Sequence, residues 1–170
     1  MGQAANVARQ QLANLVVGVA DLQVSDDPGR VIVTYALGSC IALCLYDPER
    51  RVGGMIHYML PMSSVSPEKA DANPAMFADT GVPLLFQRMF DYGCGRDSLV
   101  VKVVGGGALN GDSDMFQIGK RNHTVLRKLL WKNRIMISAE DVGGSKSRTV
   151  RLFVADGRVV VSSHGQEEDL

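Results

Sequence analysis

The sequence predicts an α+β fold, with sheets covered by helices on their outer faces. Three observations carry this. Roughly eight short segments, apolar or alternating, are bounded by Gly, Pro, Asn, Asp and Ser and read as strands. Two longer stretches repeat their apolar residues at helical spacing. Turn signals at Asp47-Pro48 and Asp156-Gly157 close a hairpin towards each end of the chain. At 170 residues the chain is read most simply as one domain, residues 1–170, long enough to bury a sizeable core. Residues 1–13 and 165–170 are read as flexible ends.

Residues 15–24 (LVVGVADLQV) read as a first strand, closed by the loop Ser25-Asp26-Asp27-Pro28-Gly29. Residues 30–37 (RVIVTYAL) form a second strand that ends at Gly38 and carries Thr34. The apolar runs 40–46 (CIALCLY) and 52–60 (VGGMIHYML) flank Asp47-Pro48-Glu49-Arg50, whose Asp and Pro suit the first two positions of a type I turn, so they pair as a hairpin. Residues 61–75, rich in Ser, Pro and Asp, read as a loop, either a lid or substrate contact beside the preceding strand or an ordinary surface connection. Asp79 or Thr80 caps a helix with Pro83 in its first turn, Leu85, Phe86 and Met89 on one face, and Gly93 as its stop. Residues 98–104 (SLVVKVV) are a buried strand. The glycines that follow, Gly105-Gly106-Gly107, lack both a Gly-Lys-Ser/Thr and a G-x-G-x-x-G context, which argues against nucleotide binding. A second helix spans 119–132, with Val125, Leu126, Leu129 and Leu130 as its stripe. Residues 134–139 (RIMISA) read as a strand, 141–144 as a turn, and 148–155 with 158–163 as the closing hairpin.

Eighteen basic and eighteen acidic residues leave no formal net charge, against the basic patch that a nucleic-acid or polybasic membrane binder needs. The polar first ten residues lack the apolar core of a signal peptide, and no run is long enough to span a bilayer, so a cytosolic protein without membrane insertion is expected. In a reducing compartment the odd set of three cysteines is expected to be free. Cys40 and Cys44, four residues apart on a strand, have Cα atoms separated by roughly 13 Å, too far for a disulfide. Cys44 and Cys94 read as core, and His123 and His164 as residues outside any active centre. The Cys and His positions form no metal-ligand spacing, and no cofactor is expected.

The chemistry concentrates in 34–61, where Cys40 follows a Gly38-Ser39 corner and His57 lies seventeen residues later. With 47–50 as a four-residue loop, Cys40 stands directly opposite His57 on one sheet face; a three- or five-residue loop would send His57 to the other face. A thiol needs an adjacent base to become a nucleophile near neutral pH, so the two are a candidate thiol–imidazole pair. Backbone N–H groups freed at Gly38, Ser39 and Cys40 could hold an oxyanion. From residue types alone, a buried cysteine and a hydrogen-bonded core histidine are the competing reading.

Thr34, Cys40 within LGSC and His57 within GGMIHYMLP resemble the signature of the chemoreceptor glutamine deamidases (CheD), which hydrolyse particular glutamine side chains on bacterial chemotaxis receptors. FADT at 77–80 looks like that family's Tyr-Ala-Asp segment and KVVGGGA at 102–108 like its Lys-x-x-Gly-Gly-Ala segment. IGKRN at 118–122 and DVGGSKSRTV at 141–150 continue the set in the family's order, so the likeness runs from about residue 16 to 161. Phe77 departs from the usual Tyr and Leu109-Asn110 from the commoner Met-Phe; these bear on substrate preference and do not touch Thr34, Cys40 or His57. The resemblance implies Cys40 as nucleophile, His57 as base and Thr34 as the residue that orients His57. It implies a sheet sandwich flanked by helices, related to the cysteine-hydrolase toxins that deamidate glutamine, acting on the cytoplasmic helices of receptors. Hydrolysis of glutamyl methyl esters is a second activity that the same chemistry would allow. The family also pairs with a CheC-type phosphatase, so a chiefly regulatory binding role is the alternative, and a transglutaminase-like thiol enzyme a more distant one.

Overall fold

A computed structural model describes residues 12–109 and 113–170. Ten strands form two five-stranded sheets stacked face to face, and the two long helices lie against the second. The first sheet joins β1 (Ala13–Val16), β3 (Arg30–Leu37), β8 (Arg148–Phe153), β9 (Val159–Ser163) and β10 (Gln166–Asp169) in the order β1-β3-β8-β9-β10. The second joins β2 (Asp21–Ser25), β4 (Ile41–Asp47), β5 (Val52–Tyr58), β6 (Val100–Gly105) and β7 (Ala139–Val142) in the order β2-β5-β4-β6-β7.

Alternation along each strand decides what lies between the layers. From the first sheet Ile32, Val150, Leu152, Val159 and Val161 point inward, and from the second Ala42, Cys44, Tyr46, Met55 and Val104 meet them. The other face of β4 and β5 offers Ile41, Leu43, Leu45 and Ile56 to α2 (Ala78–Asp91) and α3 (Ser113–Lys132), through Val82, Leu85, Met89, Leu126 and Leu130. Strands β4 and β5 are therefore buried on both faces, which is why they read as unbroken apolar runs.

The α+β class holds, but α2 and α3 both cover the second sheet. The outward face of the first sheet presents Thr149, Arg151 and Ser162, with an Arg151 Nη1–Ser162 Oγ bond of 3.0 Å, and so has polar groups to show to water.

Several elements differ from the sequence expectation. The stretch 15–24 is two strands in different sheets. The chain turns after Gly18, whose N–H donates to the Asp21 carboxylate at 3.3 Å, and Ala20 takes a φ of 57°. Residues 61–75 hold a short helix, α1 (Pro67–Ala72), and two 3₁₀ turns. Neither Asp79 nor Thr80 caps α2: the Asp79 carboxylate accepts from the Ser63 N–H and hydroxyl at 2.8 and 2.7 Å, and the Thr80 hydroxyl donates to the Pro74 carbonyl at 2.7 Å. Gly93, at φ 84°, does end the helix region. Strand β7 starts where 134–139 was expected to finish, because Ile135 and Ile137 turn into the helix-side core instead of joining the ladder. The expected loose tail at 165–170 is mostly β10, paired antiparallel with β9; of the expected flexible start, residues 1–11 lie outside the described residues. Among the described residues no helix is long and apolar enough to cross a membrane.

Candidate active site

Strand β3 brings Thr34 to the seam between the sheets. Thr34 pairs with Val150 but Leu37 with Arg148, so β3 carries one extra residue, a bulge at Tyr35-Ala36 with Ala36 at φ 56°. Both Thr34 and Leu37 are thereby buried, three residues apart, and the chain is re-aimed into the Gly38-Ser39-Cys40 corner.

The fully buried Thr34 hydroxyl donates to the Val17 carbonyl at 2.8 Å, and its oxygen lies 2.7 Å from His57 Nδ1. A hydroxyl has a single proton. With that proton on the carbonyl, Nδ1–H must be the donor to Thr34, and Nε2 is left as the bare, basic nitrogen. Nε2 is buried and has no hydrogen-bond partner among the described residues. Burial pushes the imidazole pKa down to about 4, so the ring is neutral near pH 7.

His57 lies on β5, opposite Ala42 of β4 and Asp21 of β2. The expected direct Cys40–His57 pairing is corrected here. The turn begins at Asp47 as expected, but Asp47 stays in the ladder against Val52, and the loop is 48–51 with Arg51 at φ 54°. Asp47 holds this turn from within the strand, its carboxylate accepting from the Glu49 and Arg50 N–H groups and the Ser98 hydroxyl. The loop is thus displaced by one residue. Cys40, one step before β4, becomes the diagonal neighbour of His57 on the same inter-sheet face, where it packs at the core's edge. Diagonal side chains sit about 7–8 Å apart at Cα, within reach of a long or aromatic group. Cys40 is partly exposed, and burial pushes its thiol pKa up, with its own backbone N–H opposing.

Every carbonyl of the corner is tied down. Gly107 N–H donates to the Gly38 carbonyl at 2.8 Å, Asn122 Nδ2 to that of Ser39 at 3.0 Å, and Gly106 N–H to that of Cys40 at 2.9 Å. The N–H groups of Gly38 and Ser39 donate to no protein acceptor among the described residues. In a planar trans peptide N–H and C=O point opposite ways, so the anchored carbonyls turn the Ser39 N–H away from Gly107 and the Cys40 N–H away from Asn122 on α3. The glycines at the end of β6 serve this contact: a Cβ on Gly105, at φ 118°, would stand 2.3 Å from the Cys40 carbonyl oxygen, and one on Gly119 2.5 Å from that of Gly106.

Asn122 was not singled out from the sequence as a site residue, although a signal existed. It falls four residues before Leu126 on the buried stripe of α3, where a polar side chain needs a reason. The other expectations sort as follows. Cys44 lies in the inter-sheet core and Cys94 beside Asp47, their thiols pushed up to about 12 and about 11 chiefly by burial, and all three cysteines are free. His123 Nε2 meets Glu140 at 2.9 Å, and His164 sits in the β9–β10 turn. The 61–75 segment is anchored near the histidine strand, since Asn73 Nδ2 donates to the Ala20 carbonyl at 2.9 Å and Ala20 N–H to that of His57 at 2.8 Å.

The family model described as CheD chemotactic sensory transduction matches residues 59–163. The chain is 54% identical over 152 residues to the probable chemoreceptor glutamine deamidase CheD 2 of Anaeromyxobacter dehalogenans, covering 89% of this chain and 96% of the relative. It is 47% identical over 154 residues to the probable CheD 1 of Syntrophus aciditrophicus, with 91% and 96% covered. It is 45% identical over 159 residues to the probable CheD of Solibacter usitatus, with 94% of each covered. With more than half the chain inside the family model and relatives matched along nearly their whole length, this chain belongs to the CheD family.

Proposed function

We propose that this protein deamidates glutamine side chains of chemoreceptors to glutamate, with Cys40 as nucleophile, His57 as general base and acid, and Thr34 orienting His57. The observation that carries the reading is the direction of the Thr34 hydrogen bonds: the Thr34 proton goes to Val17, so His57 offers an unprotonated Nε2 on the sheet face that Cys40 shares. The relatives' names supply the substrate.

In the resting site the thiol and the imidazole are both neutral. Nε2 takes the thiol proton as Sγ bonds to the glutamine Cδ, and the C=O electron pair moves onto oxygen to give an oxyanion. N–H groups at Gly38, Ser39 and Cys40 receive that charge. Collapse re-forms C=O and breaks C–N, with the proton on Nε2 passing to the leaving ammonia. Water then adds to the thioester with Nε2 as base, releasing glutamate and restoring the thiol. A glutamyl methyl ester fits the same steps with methanol as leaving group. The family's likeness to glutamine-deamidating cysteine-hydrolase toxins is of a piece with this chemistry. No cofactor is needed for any step.

The test is ammonia release from a receptor cytoplasmic fragment, with methanol release from its methylated form in parallel. Wild type is expected to release ammonia in step with new glutamate. Stoichiometric binding to the fragment with no release of either product would contradict the reading and favour a binding role.

A further inference from the structure

We infer that Asn122 is a positioning residue that aims the backbone N–H of Cys40, one of the donors to the oxyanion, and couples it to the strand carrying the base. The inference rests on the deamidase reading and names a part of that site.

Asn122 is fully buried on α3 and its Nδ2 makes two bonds, to the Ser39 carbonyl at 3.0 Å and to the Met59 carbonyl at 2.8 Å. The Ser39 carbonyl and the Cys40 N–H belong to one planar peptide unit, so fixing the first fixes the direction of the second. Met59 is two residues beyond His57, so the same amide also holds the end of the base's strand. Tyr58, between them, donates its hydroxyl to the backbone carbonyl of Asn122 at 2.8 Å. One helix position therefore ties the nucleophile's corner to the chain that bears the base.

The residue does this against its own stability. Asn122 Oδ1 is buried with no partner among the described residues, a condition that destabilises a fold. Leu126 and Leu130 fill neighbouring positions of the same stripe. An apolar residue there would match the stripe but leave the Ser39 and Met59 carbonyls without these bonds; the amide suits the two carbonyls.

Asn122→Ala frees the Ser39–Cys40 peptide to rotate. Asn122→Asp sets a carboxylate against two carbonyl oxygens and should do more harm. In Asn122→Ala, kcat on a receptor fragment is expected to fall about ten- to a hundredfold, below the loss seen on deleting an oxyanion donor outright, with KM within about twofold because the clamp acts on the transition state. Cys40 alkylation by iodoacetamide should fall far less than kcat, since burial and not the Cys40 N–H is the larger influence on the thiol. In ¹⁵N spectra the Cys40 amide signal should shift or broaden while those of Leu43 and Leu45 stay in place. A variant whose kcat and Cys40 amide signal both match wild type overturns the inference, as does a kcat loss accompanied by an equal loss of Cys40 alkylation or by shifts throughout β4. A wild type that makes no glutamate while its Cys40 amide still responds to Asn122→Ala contradicts the deamidase reading and with it the oxyanion role, leaving only a backbone tether.

Discussion

Thr34 shows how much one hydroxyl decides. It has two buried neighbours, the Val17 carbonyl and His57 Nδ1, and satisfies both only as donor to the first and acceptor from the second. Thr34→Val keeps the shape and leaves both neighbours unpaired, which should cost about 1–3 kcal/mol for each group and lower kcat about ten- to a hundredfold as the imidazole loses its tautomer. Thr34→Ser should retain most of the activity. Melting temperature and steady-state kinetics check both. His57 gives a pH prediction. Its folded pKa of about 4 lies below its ordinary 6.5, so on acidification the unfolded chain takes up a proton that the folded chain refuses. Stability from this group is complete above about pH 6.5 and is lost as pH falls towards 4, on the order of 3 kcal/mol in all. Urea denaturation of wild type and His57→Asn across that window should show a smaller loss for the variant; parallel curves would contradict it.

At the scale of elements, the site depends on three irregularities. The β3 bulge lets Thr34 and Leu37 both turn inward, the late loop of the β4–β5 hairpin sets Cys40 diagonal to His57, and the glycines after β6 let that chain pass against the nucleophile's corner. Gly105→Ala puts a Cβ 2.3 Å from the Cys40 carbonyl oxygen at a backbone φ of 118°. The expected result is a loss of about 1–3 kcal/mol and at least a tenfold fall in kcat, because the displaced atom belongs to Cys40; unchanged turnover would show that the corner tolerates movement. Legibility divides along the same line. Strand β3 was readable to its last residue from a run of β-branched and apolar side chains that Gly38 ends. The turn at Asp47-Pro48 was readable too, but not the extra residue Arg51 at positive φ, since no Gly or Asn marks it. The same silence hides Ala20 and Ala36, and with them the break between β1 and β2 and the bulge itself.

For the molecule as a whole, the candidate site lies where two sheets and a helix meet. Thr34 comes from the first sheet, His57 from the second, Cys40 from the connection between them, and the restraint on Cys40 from α3. Local pattern could not show this, because each contact joins residues far apart in the chain. The helix-side core was legible as stripes on α2 and α3. That both helices share one sheet was not, since the choice depends on polar Thr149, Arg151 and Ser162 facing outward on the other. Strand β10 was hidden for a similar reason: QEED has strand spacing only against a partner already in place.

The most direct measurement is the intact mass of a receptor cytoplasmic fragment incubated in parallel with wild type, Cys40→Ala and His57→Ala. Each conversion of glutamine to glutamate by this acyl transfer adds about one dalton. Wild type is predicted to add that mass at a limited number of sites and both variants to add none. A gain that survives loss of Cys40, or no gain with folded wild type over a range of receptor fragments, would contradict the account.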